Sequence, residues 1–271
     1  MSVYAVFPGG KRKVFTASYD DGWPQDEKLI ALMNKYGIKG TFNLVSGDVL
    51  FDQIENPVER YKGHEVAAHG HTHGYLGRIA PAQATYDVLK NREALEEVFG
   101  GTVRGFAYGH GSYNPETKQI LKNCGIKYAR TITNDEKFMM PQDWFFFNPT
   151  CEDLNPRLLE IADRFYNMKP IFTQINLFYV WGHSHFTDRN NLWDKLEEVF
   201  QKMGNNDEIW CATNIEIYDY MDAFSRLEMS ADGTYIYNPT TTTLWLLHNN
   251  GDFMSKREVI VLKPGEEVYL K

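Results

Sequence analysis

The stretch VFTASYDDGWPQDEKLIALMNKYGIKGTFNLV, residues 14–45, decides the fold. Val14–Ser18 is an apolar run of strand length, Gln25–Tyr36 has helical periodicity closed by Gly37, and Gly40–Val45 is again a strand. A strand, a helix and a second strand joined by short connections form the unit from which parallel sheets are built.

Outward from this stretch the alternation continues. Glu65–His69 is a further short strand. Pro81–Phe99 reads as the clearest helix, with Pro in its first turn, Val88, Leu95 and Phe99 on one face, and Gly100–Gly101 as its stop. Val103–Tyr108 reads as a strand and Asn114–Asn123 as a helix, with Asn114 as N-cap and Pro115 in the first helical position. Ile126–Ile132 is a strand, Asn155–Tyr166 a helix opened by Asn-Pro, and Thr173–Trp181 a strong strand. Leu192–Met203 is an amphipathic helix, Ile209–Thr213 a strand and Ile215–Leu227 a helix. The expected architecture is α/β, a mostly parallel sheet either open or closed into a barrel. After about residue 226 the pattern changes to short strands split by Gly, Asn and Pro, at Thr234–Tyr237, Thr241–Leu247, Arg257–Leu262 and Glu267–Leu270. We therefore expect a main domain over residues 1–225 and a small antiparallel β appendage over residues 226–271, packed on it.

Composition narrows the function classes. A chain of 271 residues, 43% hydrophobic and 24% charged, can bury a full core without staples. Net charge is −8, and no basic block extends beyond Lys11-Arg12-Lys13, which argues against nucleic acid as a partner. The 3 cysteines, Cys124, Cys151 and Cys211, lie far apart with no C-x-x-C pair, as expected of a reducing compartment. No apolar run approaches the ~18 residues of a membrane span, and the N-terminus lacks the pattern of a signal peptide. A cytoplasmic chain without a membrane partner is the expectation, unless a signal peptide was trimmed. Oligomeric state is left open. Aromatic residues make up 14% of the chain, which suits either a well-filled core or a sugar-stacking cleft.

Four polar clusters fall where strands end. Tyr19-Asp20-Asp21-Gly22 follows the first strand; Asp-Gly by itself is a turn signal. His69-Gly70-His71-Thr72-His73 holds three of the 8 histidines, and His69 and His73, four apart, can be aimed at one point by a helical turn or a tight loop. Two imidazoles and one carboxylate, with positions left open, are the ligand set of a catalytic divalent ion. Such an ion polarises a carbonyl and lowers the pKa of water. With adjacent aspartates, one can ligate the ion while the other removes a proton. The third cluster, Phe106 to Tyr113, contains two glycines whose backbone lets N–H groups approach a ligand, as in an oxyanion hole or a helix-entry loop. The fourth is Trp181-Gly182-His183-Ser184-His185, where a histidine is placed to protonate a leaving group or sits satisfied in the core.

In this order, Tyr19-Asp20-Asp21-Gly22, Glu65 to His69 with His73, Gly105-Phe106-Ala107-Tyr108 with Gly111-Ser112-Tyr113-Asn114, and His183 after an apolar strand resemble the motifs of the polysaccharide deacetylases. These are the NodB-homology enzymes, or family 4 carbohydrate esterases. The resemblance spans roughly residues 14–215 and implies a distorted (β/α) barrel. It implies Asp21, His69 and His73 as metal ligands, Asp20 as general base and His183 as general acid. It places the backbone N–H of His110 at the oxyanion, and Trp181 beside the acetyl methyl. Tyr108 joins the substrate wall, and Trp144, near Asp143, stands for the tryptophan of the family's fourth motif. The implied cofactor is a divalent ion, zinc ahead of cobalt, nickel or manganese.

Two positions depart from the family. Ala107 stands where an arginine usually holds the catalytic aspartate, and His110 replaces a tyrosine. Arg130 ends the strand after the one that ends at Tyr108. Consecutive strand ends are neighbours in a parallel barrel, so its guanidinium is expected to reach Asp20 from one strand further round; Arg104 starts its strand and belongs at the opposite end. The expected function is metal-dependent removal of an acetyl group, amide or ester, from a sugar or oligosaccharide. Alternatives are an allantoinase-like amidase acting on a non-carbohydrate substrate, and a non-catalytic carbohydrate-binding module.

Overall fold

In the computed structural model, which describes residues 2–249 and 258–270, the strand-helix alternation builds one parallel sheet. Its strands are β2 (Lys13–Asp20), β3 (Gly40–Leu44), β4 (Glu65–Ala68), β5 (Gly105–Ala107), β6 (Tyr128–Arg130), β7 (Cys151–Glu152), β8 (Asn176–Gly182) and β9 (Ile209–Cys211). They run in the order β6-β5-β4-β3-β2-β8-β7. β9 pairs with the start of β2, at Lys13–Phe15, and β3 takes over from Ala17. The gap between the edges is spanned by one segment. Phe147 donates its N–H to Ala129 on β6 and accepts from Thr131, and three residues on, Thr150 donates to Tyr179 on β8. The sheet is thereby curled into the expected distorted barrel.

Side chains alternate along β2 because successive Cβ atoms point to opposite faces. Phe15, Ala17 and Tyr19 face outward into a core with α1 (Asp26–Lys35), α4 (Pro81–Phe99), α5 (Pro115–Asn123), α6 (Leu158–Asn167) and α8 (Trp193–Met203). On the other face a polar column climbs the barrel interior. Thr16 donates to Asn214 (2.9 Å), Asn43 donates to Ser18 (2.8 Å), and Asp20 ends the column at the C-terminal rim. The lower end is plugged by α9 (Asn214–Ser225), whose first backbone N–H groups donate to Thr41 and Glu65 and whose start carries a Thr213/Glu216 capping box. Burial pushes the Glu65 carboxyl up to about 7. The shorter helices are α2 (Val49–Asp52), α3 (Pro57–Arg60) and α7 (Ser184–Arg189).

The remaining strands form two small antiparallel sheets. β1 (Ser2–Val6), β12 (Leu244–Asn249) and β13 (Glu258–Leu262) make one; β10 (Glu228–Met229), β11 (Tyr235–Tyr237) and β14 (Glu267–Tyr269) make the other. Ile236, Leu244, Leu246 and Leu262 bury against Ile217 and Tyr220 of α9 and Phe7. The expected strand Arg257–Leu262 begins one residue early, at a position outside the described residues. The pairing of Ser2–Val6 with β12 was not legible in advance, because a strand whose partner lies about 240 residues away carries no local turn signal. Several expected strands are shortened to three residues, as at β5, β6 and β9. Among the described residues no helix is long and apolar enough to cross a membrane.

Candidate active site

The four strand-end clusters converge at the C-terminal rim. β2 delivers Asp20 and Asp21, β4 delivers His69 and His73, β5 leads to His110, β6 ends on Arg130 and β8 runs into His183. Asp21, His73 and His110 all adopt left-handed backbone angles, with φ of 77°, 53° and 53°. For residues that carry a Cβ this conformation is uncommon, and its recurrence around one point marks a site held in shape by its surroundings.

Asp21 Oδ1 lies 3.7 Å from Nε2 of both His69 and His73, and the two nitrogens are 3.2 Å apart. Nδ1 of His69 lies 2.8 Å from the carbonyl oxygen of Ala107. A carbonyl can only accept, so the proton sits on Nδ1 and the Nε2 lone pair faces the cluster. Asp21 Oδ1 is buried and has no hydrogen-bond partner among the described residues. A bare carboxylate oxygen beside two imidazole nitrogens is poorly satisfied alone, and it suits a divalent cation with nitrogen and oxygen ligands. Burial lowers the pKa of His69, with Asp20 and Asp21 opposing, which favours the neutral, ligating imidazole.

Asp20 also borders His69, its Oδ2 3.6 Å from Nε2, but its oxygens carry hydrogen bonds. Arg130 donates to both its oxygens, and Asn43 donates to Oδ1 at 2.8 Å. The guanidinium is fully buried and stacks 4.6 Å above the Trp181 ring. Burial pushes the Asp20 carboxyl up, but Arg130, His69 and His183 together outweigh it and hold it down at about 2. The arginine that Ala107 lacks is thus supplied from the next strand; Ala107 and Arg130 are register partners. His183 Nε2 lies 3.7 Å from Asp21 Oδ2 and 3.9 Å from Asp20 Oδ2, beside the rings of Trp181 and Phe186. His110 is exposed at the rim, its ring 4.4 Å from His73 and stacked on Tyr75 at 4.3 Å.

Two expected wall residues are not brought to the site. Tyr108 is 1% exposed and donates its hydroxyl to the Phe145 carbonyl, so its side chain belongs to the core. Trp144 packs edge-on against Phe147 and Tyr218, the latter on α9 at the lower end of the barrel. The Asp-Trp pair of residues 143–144 is instead drawn down by an ion pair of Asp143 with Lys118 and by that aromatic packing. Trp181 stays at the site, but at 7% exposure it mainly backs Arg130 and donates to Asn134 at 2.8 Å.

Sequence reasoning missed the groups that hold the histidine loop. Asn91 accepts from the N–H groups of His69 (2.8 Å) and Gly70 (2.9 Å), and Asp87 accepts from those of His71 and Thr72 and from the Thr72 hydroxyl. Gly70 has φ of 89°, and a Cβ there would meet Asp87 at 2.6 Å, so only glycine lets the loop lie this close. The available signal was two polar residues four apart within the buried stripe of α4, beside Ala84, Val88 and Leu95. Asn91→Ala would leave the buried Gly70 N–H unpaired and that of His69 with only its longer bond to the Leu44 carbonyl, at 3.2 Å. It should lower stability by roughly 1–3 kcal/mol, measured by denaturant unfolding, and weaken divalent-ion binding. Unchanged ion affinity in a folded variant would show that the loop holds its shape without this clamp.

The family model described as polysaccharide deacetylase matches residues 8–129, a span that includes Asp20, Asp21, His69, His73 and His110 and stops short of Arg130 and His183. Comparison with curated proteins gives no match. Among solved structures, a polysaccharide-deacetylase homologue from Mycobacterium smegmatis has a TM-score of 0.61 at 16% identity, covering 83% of this chain and 95% of its own. The peptidoglycan deacetylase PdaC from Bacillus subtilis gives 0.55 at 15% identity, over 81% of this chain and 96% of its own. A family 4 carbohydrate-esterase pseudoenzyme from Bacillus anthracis gives 0.52 at 15% identity, over 80% and 68%. The chain is therefore similar to the polysaccharide deacetylases, matched by that family's model over residues 8–129 and sharing the fold of the solved structures over most of its length.

Proposed function

We propose that the chain is a metal-dependent hydrolase that removes acetyl groups from a carbohydrate. One observation carries the reading: Asp21, His69 and His73 converge with free ligand atoms beside an ionised Asp20 and a histidine, His183, less than 4 Å away. A pseudoenzyme stands among the structural neighbours, so the fold alone does not separate active from inactive proteins and the reading rests on these side chains.

A divalent ion bound there, zinc ahead of cobalt, nickel or manganese, would supply Lewis acidity toward the acyl carbonyl and toward water. Asp20, ionised and aimed by Arg130 and Asn43, takes the proton from the attacking water. His183 gives a proton to the departing amine or alcohol. The backbone N–H of His110 is assigned to the acyl oxygen, on the strength of its place after β5. The sugar is the substrate class named for the similar proteins, and Tyr75 and His110 offer exposed rings at the rim. The test is acetate release from a panel of N- and O-acetylated sugars by metal-free protein supplied with defined ions. Release from none of them, with turnover of a cyclic amide instead, would replace this reading by the amidase one.

His183→Ala should reduce turnover about 10²-fold on an N-acetyl substrate, with unchanged metal content. The loss should be smaller on an activated acetate ester, whose alkoxide leaves without a proton. Equal losses on both would remove His183 from the role of acid.

A further inference from the structure

We infer that Trp23 is a positioning residue for the cation site, presenting a single oxygen of Asp21 to the ion; the inference rests on the metal-hydrolase reading above. The two oxygens of Asp21 are in different situations. Oδ1 points at the two imidazoles and has no hydrogen bond among the described residues. Oδ2 accepts from the indole Nε1–H of Trp23 at 3.1 Å. An indole has one donor and no acceptor, so this contact marks Oδ2 as the oxygen held back from the ion. It also offsets part of the charge that Oδ2 would otherwise turn toward His183, 3.7 Å away.

The indole is itself fixed. Its ring lies 3.9 Å from that of His185, which lies 3.9 Å from Phe186 on α7. The chain reverses between Asp21 and Trp23 at Gly22, with φ of 81°, where a Cβ would meet Leu44 at 3.0 Å and Ile54 at 3.3 Å. That turn brings residue 23 back onto residue 21. Nothing in the turn as such requires a tryptophan; the donor and the stacking face do. Groups that hydrogen-bond a metal ligand from behind typically account for about 10–100-fold in ion affinity.

Trp23→Phe keeps a ring to stack on His185 and deletes the N–H. Zinc affinity, measured by competition with a chromophoric chelator, should fall about 10-fold or more, and the visible spectrum of the cobalt-loaded protein should change as Asp21 is freed to rotate. Should this variant fail to fold, benzothienylalanine at position 23 retains the indole's shape with sulfur in place of N–H, and the same loss is expected. Affinity within about twofold of the unmodified protein, with an unchanged cobalt spectrum, would overturn the positioning role. If the unmodified protein binds neither zinc nor cobalt, the metal reading itself fails and this inference with it, an outcome distinct from equal binding by all forms.

Discussion

Asp20→Asn is expected to lower turnover by roughly 10²–10⁴-fold while leaving the divalent ion in place. Both aspartates border His69, and they are separated by their hydrogen bonds. Asp21 turns Oδ1 to His69 and His73, at 3.7 Å from each, whereas Asp20 is enclosed by Arg130 and Asn43. The amide retains the shape and can still accept from Arg130 or Asn43, but it cannot take a proton. Asp21→Asn should behave differently and lose ion and activity together, since it weakens a ligand. Metal analysis beside acetate release separates the two cases. An Asp20→Asn protein that arrives without its ion would mean that the roles of the two residues are exchanged.

The parts of this site legible in the sequence are those that strand direction alone determines. A polar residue just after an apolar run in a parallel sheet must lie at the C-terminal rim, which is why Asp20, His69 and His183 could be grouped although 163 positions separate the first from the last. The same geometry located Arg130, because adjacent strand ends are neighbours whichever residue type each carries. What was illegible depends on side-chain direction and on tertiary neighbours. Tyr108 follows a strand end just as His183 does, yet its ring turns inward to Phe145, and nothing local distinguishes the two. Asn43, Asp87 and Asn91 act on the site from β3 and α4 through hydrogen bonds to groups 15–23 positions distant. A periodicity reading classes them as polar residues on amphipathic elements. Trp144 was misplaced for a related reason: a motif match fixes residue type, while Lys118, Phe147 and Tyr218 fix where the ring goes.

Arg130→Met is expected to lower stability by about 3–5 kcal/mol at neutral pH and to lower turnover as well. Both partners are buried, Arg130 at 0% and Asp20 at 2% exposure, so removing the guanidinium takes away the one cation among the described residues that hydrogen-bonds the Asp20 carboxylate. Methionine is chosen to fill most of the volume, so that the loss reflects charge more than a cavity. The pH dependence has a definite sign. Asp20 titrates at about 2 in the folded protein, below its unfolded value of about 3.9. Its stabilisation is therefore complete above the unfolded value and is lost as pH falls through about 2. Without Arg130 the largest effect opposing burial is gone, so the folded pKa rises and ionised Asp20 loses most of its favourable contribution at neutral pH. The stability gap between wild type and variant should be widest near neutrality and close in acid, once Asp20 carries a proton in both. The double variant Arg130→Met/Asp20→Asn should regain most of the stability and none of the activity, because it removes the stranded charge together with the base. Arg130→Lys should fall between, since an ammonium supplies the charge but not the planar fork that reaches both oxygens. A single Arg130→Met protein as stable as wild type across this range would mean that Asp20 is oriented chiefly by Asn43. Substitution of Asn43 would then be the change that destroys the base.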